Sequence, residues 1–404
     1  MLTEAPVGFL RQYSVEFISL SVFFFICSVA WRLLSPKLSG KDAGGPVKEL
    51  KEKSKGFYGA PEDTTVDFSG VRPYKPDFDI HAEEPEQWWR DGYISDRVYT
   101  ATMALRNLTF DDWLRIDKNY PSRMQHKKNT FATMGAEAID CREGGYDACA
   151  ELLAMLVEYL PRRFPTVFTL SSDGRTIHSH VTGESFEIKA PYGGLHPLEI
   201  IGRITEEDLS LLTEGPDGEY VLKATVSAFP AGFDIQAKMD KPLTEIHGPV
   251  PTYKEKLQKA MNKFFKSVGA SRLVMRVNWS INDHEELFLV DGHLYEGDED
   301  AAADETIDIN EVQLRVERQV IRRLPRTGAM CMLTKTYLYR LVDIADQPGF
   351  AARLGGLLHR LPEKFAFYKG KPVWGKVVLE YLDEMAAKHP ALARREGEEE
   401  EKQV

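Results

Sequence analysis

Cysteine is scarce in this sequence, with four residues in 404: Cys27, Cys141, Cys149 and Cys331. No two of them have the CxxC spacing used by zinc ribbons and iron–sulfur ferredoxins. One of them, Cys27, falls within an apolar segment. The sequence therefore excludes a zinc ribbon, an iron–sulfur ferredoxin and a disulfide-stapled scaffold. Sparse cysteine use is typical of a reducing compartment.

Glycine-rich phosphate loops and an excess of positive charge are also missing. No strand candidate is followed by GxGxxG and no P-loop occurs, so a Rossmann oxidoreductase or an NTPase is not predicted. The net charge of −11 argues against nucleic acid as a partner, because phosphate binding requires a basic surface. Part of this charge lies in residues 389–404, which we interpret as an acidic disordered tail.

The sequence has one long apolar run, from Tyr13 to Leu34. Its uncharged centre, Phe17–Trp31, has 15 residues, and a bilayer needs about 20, so a span requires the flanking side chains to snorkel. A signal peptide would need a small-residue cleavage site, whereas bulky Trp31 and Arg32 follow here. A buried core helix is the second alternative, but the segment is apolar on all sides and is followed by a polar linker. We therefore predict a transmembrane anchor at 13–34, after a short tail at 1–12.

Basic residues beside this segment predict its orientation. Only Arg11 precedes it closely, while seven Lys or Arg residues lie between positions 32 and 55. The positive-inside rule then places the large domain in the cytosol as a single-pass membrane protein. The short anchor is compatible with the thin endoplasmic reticulum bilayer. Residues 35–95 are rich in Lys, Gly, Pro and Asp and are predicted to be a juxtamembrane linker.

Residues 96–388 are predicted to form one α+β domain, an antiparallel sheet with flanking helices. The predicted helices are Asp147–Leu160, a segment within Ile200–Leu212 that begins near Glu206, a helix opened by a capping box at Thr252–Glu255, Asn310–Leu324, Phe350–Leu361 and Trp374–Ala387. The predicted strands are Val167–Leu170, Ile177–Val181, Phe186–Ile188, Tyr220–Phe229, Arg272–Trp279, Glu286–Val290 and Ala329–Leu338.

Five motifs in this domain, spread from about Thr102 to Leu361, resemble those of one protein family. They are Met103–Arg106 with Trp113–Asp117 and Glu151–Pro165, Glu207–Leu209, Phe229–Asp234 with Lys238 and Ile246–Pro251, Arg276–Ser280, and Leu314–Gly328. In this order they are similar to the haem-dependent oxidative N-demethylase alpha-subunit-like family. The predicted anchor makes the chain resemble fungal-type, membrane-anchored members.

The resemblance implies a PAS-like haem-binding fold and haem b with a single histidine axial ligand. It implies oxygen-dependent oxidation of a small secondary amine to an aldehyde and a primary amine. In the bacterial system other subunits supply the electrons. This sequence has no flavin fingerprint and no cysteine cluster, so we expect an external electron donor, a reductase partner at the membrane.

Within these motifs, His247 is the predicted haem iron ligand. It lies in a proline-rich segment just before the predicted capping box, and a helix N-terminus disfavours the imidazolium, which cannot bind a metal. His196 and the pair His178 and His180 are alternatives, because the pair would share one face of a strand. A hydrogen-bonded structural histidine is the simpler interpretation of each.

Arginine is the second residue type singled out, because its guanidinium pairs with carboxylates such as haem propionates. On the predicted helix 310–324, arginines form one stripe, for which a solvated helix face is the alternative. The candidate propionate ligands are Arg276, Arg315, Arg318 and Arg326. Glu207 and Asp208 are candidates for binding the substrate amine, or simply acids at a helix N-terminus.

Two further functions remain open on the sequence. A haem-binding PAS-like sensor or carrier would keep the pocket without turnover. A type II membrane transferase shares the topology of a short tail, one span, a stem and a large domain, although the basic residues on the domain side argue against it.

Overall fold

A computed structural model describes residues 66–75, 77–90, 103–290, 298 and 301–391. The predicted tail at 1–12, the anchor at 13–34 and most of the acidic tail lie outside these residues. Within the described part of the chain, no helix is long and apolar enough to cross a membrane. The described chain is α+β with a large antiparallel sheet and flanking helices, as predicted.

Seven antiparallel strands form the main sheet, in the order β1-β8-β9-β10-β6-β7-β2. The longest strands, β8 to β10, lie side by side at its centre, and β9 pairs along its whole length with β10. The strands are β1 Arg106–Leu108, β2 Ile139–Cys141, β6 Asp208–Glu214, β7 Tyr220–Val226, β8 Leu273–Asn282, β9 Gln313–Arg323 and β10 Met330–Arg340.

A small second sheet and ten helices complete the described fold. The small sheet has the order β3-β4-β5, with β3 Phe168–Leu170, β4 Thr176–Ser179 and β5 Ser185–Glu187. The helices are α1 Tyr120–Met134, α2 Tyr146–Arg163, α3 Pro197–Ile204, α4 Leu243–Ile246, α5 Tyr253–Lys256, α6 Gln258–Ser267, α7 Leu341–Ile344, α8 Phe350–His359, α9 Glu363–Tyr368 and α10 Lys371–Lys388.

Both faces of the main sheet are covered. Side chains alternate between the faces along each strand. We call the face that carries Arg276, Arg315 and Ile321 the front face, and the face that carries Val316, Arg318 and Val320 the back face. One apolar cluster joins the back face to α1, α2, α3, α8 and α10. A second joins the front face to α4, α5 and α6.

The segment before β1 also packs into the back-face cluster. Phe68 is 1% exposed and stacks on Trp113 with ring centroids 5.6 Å apart. Trp88 and Trp89 are buried in the same cluster. The second half of the predicted 35–95 linker therefore contributes to the core of the domain.

The predicted helix Asn310–Leu324 is wrong, because this segment contains the central strand β9. The apolar residues Val312, Val316, Val320 and Leu324 recur every four positions, which fits a helix but also one face of a strand. Every residue of β9 is buried. A strand that is covered on both faces does not show the alternation of apolar and polar residues by which a half-exposed strand is recognised in a sequence.

Three smaller predictions are also wrong. The helix predicted to begin near Glu206 is α3, which ends at Ile204, and Asp208 begins strand β6. Thr252 has a left-handed φ of 62° and makes no side-chain cap, so the capping box does not form. Glu286–Val290 is not a strand, although Leu289 forms one isolated bridge with Ala231.

Candidate functional site

The front face carries a row of buried polar side chains across its central strands. In the β-sheet register, Asn278 lies opposite Glu317 and Arg276 opposite Gln319. Glu317 Oε2 accepts hydrogen bonds from Asn278 Nδ2 at 3.3 Å and from Gln319 Nε2 at 2.9 Å. Charged groups so deeply buried are stable only with partners, so this row fixes the positions of its members.

Arg276 and Arg315 both belong to this row. Arg315 is fully buried; its Nη2 donates to the carbonyl oxygen of Phe229, and its Nε lies 3.8 Å from Glu317 Oε1. Burial lowers the pKa of Arg315. Arg315 Nη1 and Gln319 Oε1 are buried and make no hydrogen bond to any residue that the structure describes. Such atoms are available to a polar occupant, because buried polar groups in proteins are usually paired.

Arg318 and Arg326 lie elsewhere. Arg318 is on the back face, where its guanidinium donates to the carbonyl oxygens of Asp112 and Trp113. Arg326 follows β9, and its Nη2 donates to the Asp147 carbonyl oxygen at the start of α2. The structure therefore places Arg276 and Arg315 on the same face of the main sheet, and Arg318 and Arg326 elsewhere.

His247 lies in the helical layer over the front face, directly after α4, and is fully buried. Its Nδ1 is 2.7 Å from the carbonyl oxygen of Leu243, and its ring stacks on Tyr253 with centroids 4.6 Å apart. A carbonyl can only accept, so Nδ1 carries the proton and, in the neutral ring, Nε2 carries the lone pair. Metal-binding histidines commonly show this arrangement.

The other candidate histidines have local structural roles. His196 caps α3, its Nδ1 accepting from the backbone N–H of Leu198 at 3.1 Å. His178 and His180 belong to the small-sheet region, with ring centroids 4.7 Å apart. Their rings contact Ser185 and Thr169. These three histidines belong to the small-sheet region and to the start of α3, whereas His247 lies in the layer over the front face.

Lys238, quoted in a motif but given no role by the sequence, is a further buried basic residue over the front face. It is 2% exposed, its Nζ lies 4.0 Å from the Phe233 ring centroid, and it makes no hydrogen bond within the described residues. Burial lowers its pKa well below the usual value. Lys238 lines an apolar pocket of about 40 Å³ with Leu212, Leu222, Ile246, Ile321, Met330 and Met332.

Glu207 and Asp208, the candidates for amine binding, stabilise the backbone around β6. The Asp208 carboxylate accepts from the backbone N–H groups of Ala228 and Phe229 at 2.9 and 2.8 Å. Burial raises its pKa to about 6. Glu207 Oε1 lies 3.4 Å from the backbone N of Arg115. Asp208 thus holds the loop whose Phe229 carbonyl accepts from Arg315.

An open cleft of about 990 Å³ lies at the end of the front face nearest Arg315. Gln313 and Leu338 line it, and Leu338 is opposite Arg315 in the sheet. Its lining has three carboxylates, from Glu84, Glu285 and Asp343, and four basic side chains, from Arg90, Lys118, Arg123 and Arg340. The cleft lies beside the polar row, whose own residues do not line it.

A comparison with protein families identifies the family of this chain. Residues 104–379, more than half of the chain, match the family described as haem-dependent oxidative N-demethylase, alpha subunit-like. The match begins just before β1 and ends within α10, so it covers the main sheet, the front-face layer and His247. The family description implies haem dependence. The chain therefore belongs to the haem-dependent oxidative N-demethylase alpha-subunit-like family.

Proposed function

We propose that this chain binds haem b over the front face, in a PAS-like arrangement, and catalyses the oxygen-dependent oxidation of a small secondary amine to an aldehyde and a primary amine. The observation that carries the proposal is the set of buried hydrogen-bonding atoms left open on this face. They are Arg315 Nη1, Gln319 Oε1 and Lys238 Nζ, each buried and without a hydrogen-bond partner among the described residues.

The front face has apolar side chains that suit the porphyrin ring of a haem and basic side chains that suit its carboxylates. Leu212, Ile321, Met330 and Met332 supply apolar contact for a porphyrin ring. Arg276 and Arg315 supply guanidinium groups for its carboxylates. His247 Nε2 would be the axial ligand, oriented by the Leu243 carbonyl. When bound, haem supplies the activation of oxygen for the oxidation.

The space at the front face is smaller than a haem requires. Ligand pockets occupy about 300–1,000 Å³, and the apolar pocket here has about 40 Å³. We therefore propose that α4, α5 and α6 move away from the sheet when haem binds. Breaks in this layer at His247 and Leu257 divide it into short helices, which favours such a movement.

We propose that the small secondary amine reaches the front face through the large cleft, whose lining carries both carboxylates and basic side chains. The oxidation also needs electrons, which we propose come from an external reductase at the membrane. The predicted anchor at 13–34, with the domain in the cytosol, would hold both proteins at one surface.

The test is the absorbance spectrum of the full chain in detergent, reconstituted with haem, for wild type, His247→Ala and His196→Ala. We expect a Soret band in the wild type and in His196→Ala, and a lost or displaced band in His247→Ala. No haem binding by the wild type would overturn the proposal, and an unchanged band in His247→Ala would overturn the ligand assignment.

Turnover separates an oxidase from a non-catalytic haem protein. The haem-loaded wild type, given a chemical electron donor and dimethylamine, is expected to consume oxygen and release formaldehyde. Haem binding without oxygen consumption across a series of small amines would favour a sensor or carrier instead.

A further inference from the structure

Two thiols are in contact at the edge of the main sheet. Cys141, the last residue of the edge strand β2, and Cys149, in the first turns of α2, have Sγ atoms 3.9 Å apart. All three described cysteines are free, and Cys331 is fully buried in β10. The sulfur of Cys149 is therefore in contact with the sulfur of Cys141, although the two residues are eight positions apart in the sequence.

The two thiols differ in their access to solvent. Cys141 is partly exposed and lines a surface cleft of about 510 Å³ together with Lys128 and Arg203. Cys149 is fully buried. The hydrogen bond from the Cys149 thiol lowers the pKa of Cys141, which increases its thiolate fraction, and the same hydrogen bond together with burial raises the pKa of Cys149. Cys141 is therefore the thiol that meets a small oxidant first, and Cys149 is the thiol that can resolve it.

Local structure permits the two sulfurs to join. A disulfide has an S–S distance of about 2 Å, so the sulfurs must approach by roughly another 2 Å. Strand β2 has only three residues and ends the sheet order, so it pairs with β7 alone. A short edge strand with one neighbour is among the elements that move at least cost.

We propose that Cys141 and Cys149 form a peroxide-sensitive thiol pair that oxidises reversibly to a disulfide. Hydrogen peroxide, or another small hydroperoxide, oxidises the Cys141 thiol to a sulfenic acid and is itself reduced to water. Cys149 then gives up its proton and its sulfur attacks the Cys141 sulfur; the S–S bond forms, the S–O bond of the sulfenic acid breaks, and the hydroxyl group leaves with that proton as a second water. A dithiol reductant restores both thiols. This proposal does not depend on the proposed function.

Contacts connect the thiol pair to the front-face layer. The neighbours of Cys141, Asp140 and Arg142, both contact the Gln236 side chain, at 3.2 and 2.7 Å. Gln236 begins the 3-10 turn Gln236–Lys238. Drawing β2 toward α2 therefore strains the contacts that hold this turn. We expect the backbone amides of residues 236–241 to exchange faster in the disulfide form.

Peptide mapping tests the pair, because Arg142 lies between the two cysteines. The full chain is treated with stoichiometric hydrogen peroxide, the remaining thiols are blocked and trypsin is added. We expect the peptide ending at Arg142 and the peptide beginning at Glu143 to be linked, with 2 Da lost, and to separate with dithiothreitol. Cys331 is the internal control: it should not be oxidised by peroxide and should carry the blocking group.

Single substitutions decide whether Cys149 resolves the oxidised thiol. In Cys149→Ser, dimedone should trap a sulfenic acid at Cys141, whereas the wild type should give little adduct. Overoxidation of Cys141 in the wild type without a link to Cys149 would overturn the proposal, as would a link from Cys141 to Cys331. Unchanged amide exchange at 236–241 in the disulfide form would overturn the connection to the front face.

Discussion

Arg315 and Arg318, three residues apart in β9, extend from opposite faces of the main sheet. Arg315 donates on the front face to the Phe229 carbonyl oxygen, and Arg318 donates on the back face to Asp112 and Trp113. Both are buried and burial lowers the pKa of each. They therefore have the same chemistry and different neighbours, which makes them a matched pair for separating ligand binding from stability.

Methionine at each position should separate these roles. Arg315→Met is expected to weaken haem binding at least about tenfold, a loss of about 1.4 kcal/mol, because a carboxylate partner is lost. Arg318→Met is expected to lower the free energy of unfolding by about 2–4 kcal/mol, since two buried carbonyls lose a donor. Soret titration and urea unfolding measure the two effects.

A haem analogue without carboxylates tests whether Arg315 binds a propionate. The dimethyl ester of haem has no carboxylates, so the wild type should prefer haem over the ester and Arg315→Met should lose most of that preference. The assignment fails if Arg318→Met reduces haem affinity as strongly as Arg315→Met while remaining folded.

Most of the sheet was predictable because its strands show ordinary signals. Tyr220–Val226 and Leu273–Asn282 are rich in β-branched and aromatic residues, and α2 has a clear helical period. Strand β9 was mistaken for a helix because it is buried on both faces. That error placed Arg315 and Arg318 on one stripe, whereas a strand separates them.

The residues of the candidate site lie within the five motifs, although the sequence assigned a role to only some of them. His247, Arg276 and Arg315 all lie in motifs, and the structure places them on the front face or in the layer over it. Lys238 received no role because a single lysine in a loop gives no sign of burial. Its burial depends on the covering layer of α4 to α6, which is a tertiary property.

Lys238→Met is expected to stabilise the haem-free chain by roughly 2 kcal/mol at neutral pH, because it removes a buried amine that lacks a hydrogen-bond partner among the described residues. The pKa of Lys238 is lowered on folding, so the unfolded chain binds more protons between the two pKa values. The free energy of unfolding of the wild type therefore rises as the pH increases toward about 10.5. The difference in stability between Lys238→Met and the wild type should become smaller over the same range.

Urea unfolding of the haem-free chain from pH 6 to pH 10 measures this change. Lys254→Met, at an exposed position in α5, is the control for loss of one surface charge. A Lys238→Met variant that is less stable than the wild type throughout would show that the lysine has a stabilising partner.

Glu206 should give the wild type a pH-dependent stability. Burial raises its pKa to about 7, despite the opposing attraction of Lys335, with which it forms a buried ion pair. The folded chain therefore binds more protons than the unfolded chain between about pH 4.5 and 7. Stability contributed by this group is lost as pH rises through that window, on the order of 3 kcal/mol in total.

Glu206→Gln removes the titration and should flatten the dependence. The unfolding free energies of wild type and variant, measured from pH 5 to pH 8, are expected to converge or cross in favour of the variant as pH rises. Glu305→Gln, at a side chain that is 67% exposed, is the control. Parallel curves for wild type and Glu206→Gln would contradict the raised pKa.

Gly145, which precedes α2, is required by the close approach of two elements. A Cβ atom at this position would lie 2.8 Å from the Lys223 carbonyl oxygen and 3.0 Å from Cys141 Sγ. The backbone φ of −90° is ordinary, so alanine would introduce crowding without backbone strain. We expect Gly145→Ala to lower the free energy of unfolding by about 1–3 kcal/mol, because the contact is with backbone that cannot move freely.

The same substitution should act on the thiol pair. An added methyl group against Cys141 Sγ pushes β2 away from α2, so Gly145→Ala should form the Cys141–Cys149 disulfide more slowly in peroxide. Gly70→Ala is the control, since a Cβ atom there has no neighbour within 4 Å. If Gly145→Ala retained both wild-type stability and the wild-type rate of disulfide formation, the contact between β2 and α2 would not be as close as the structure has it.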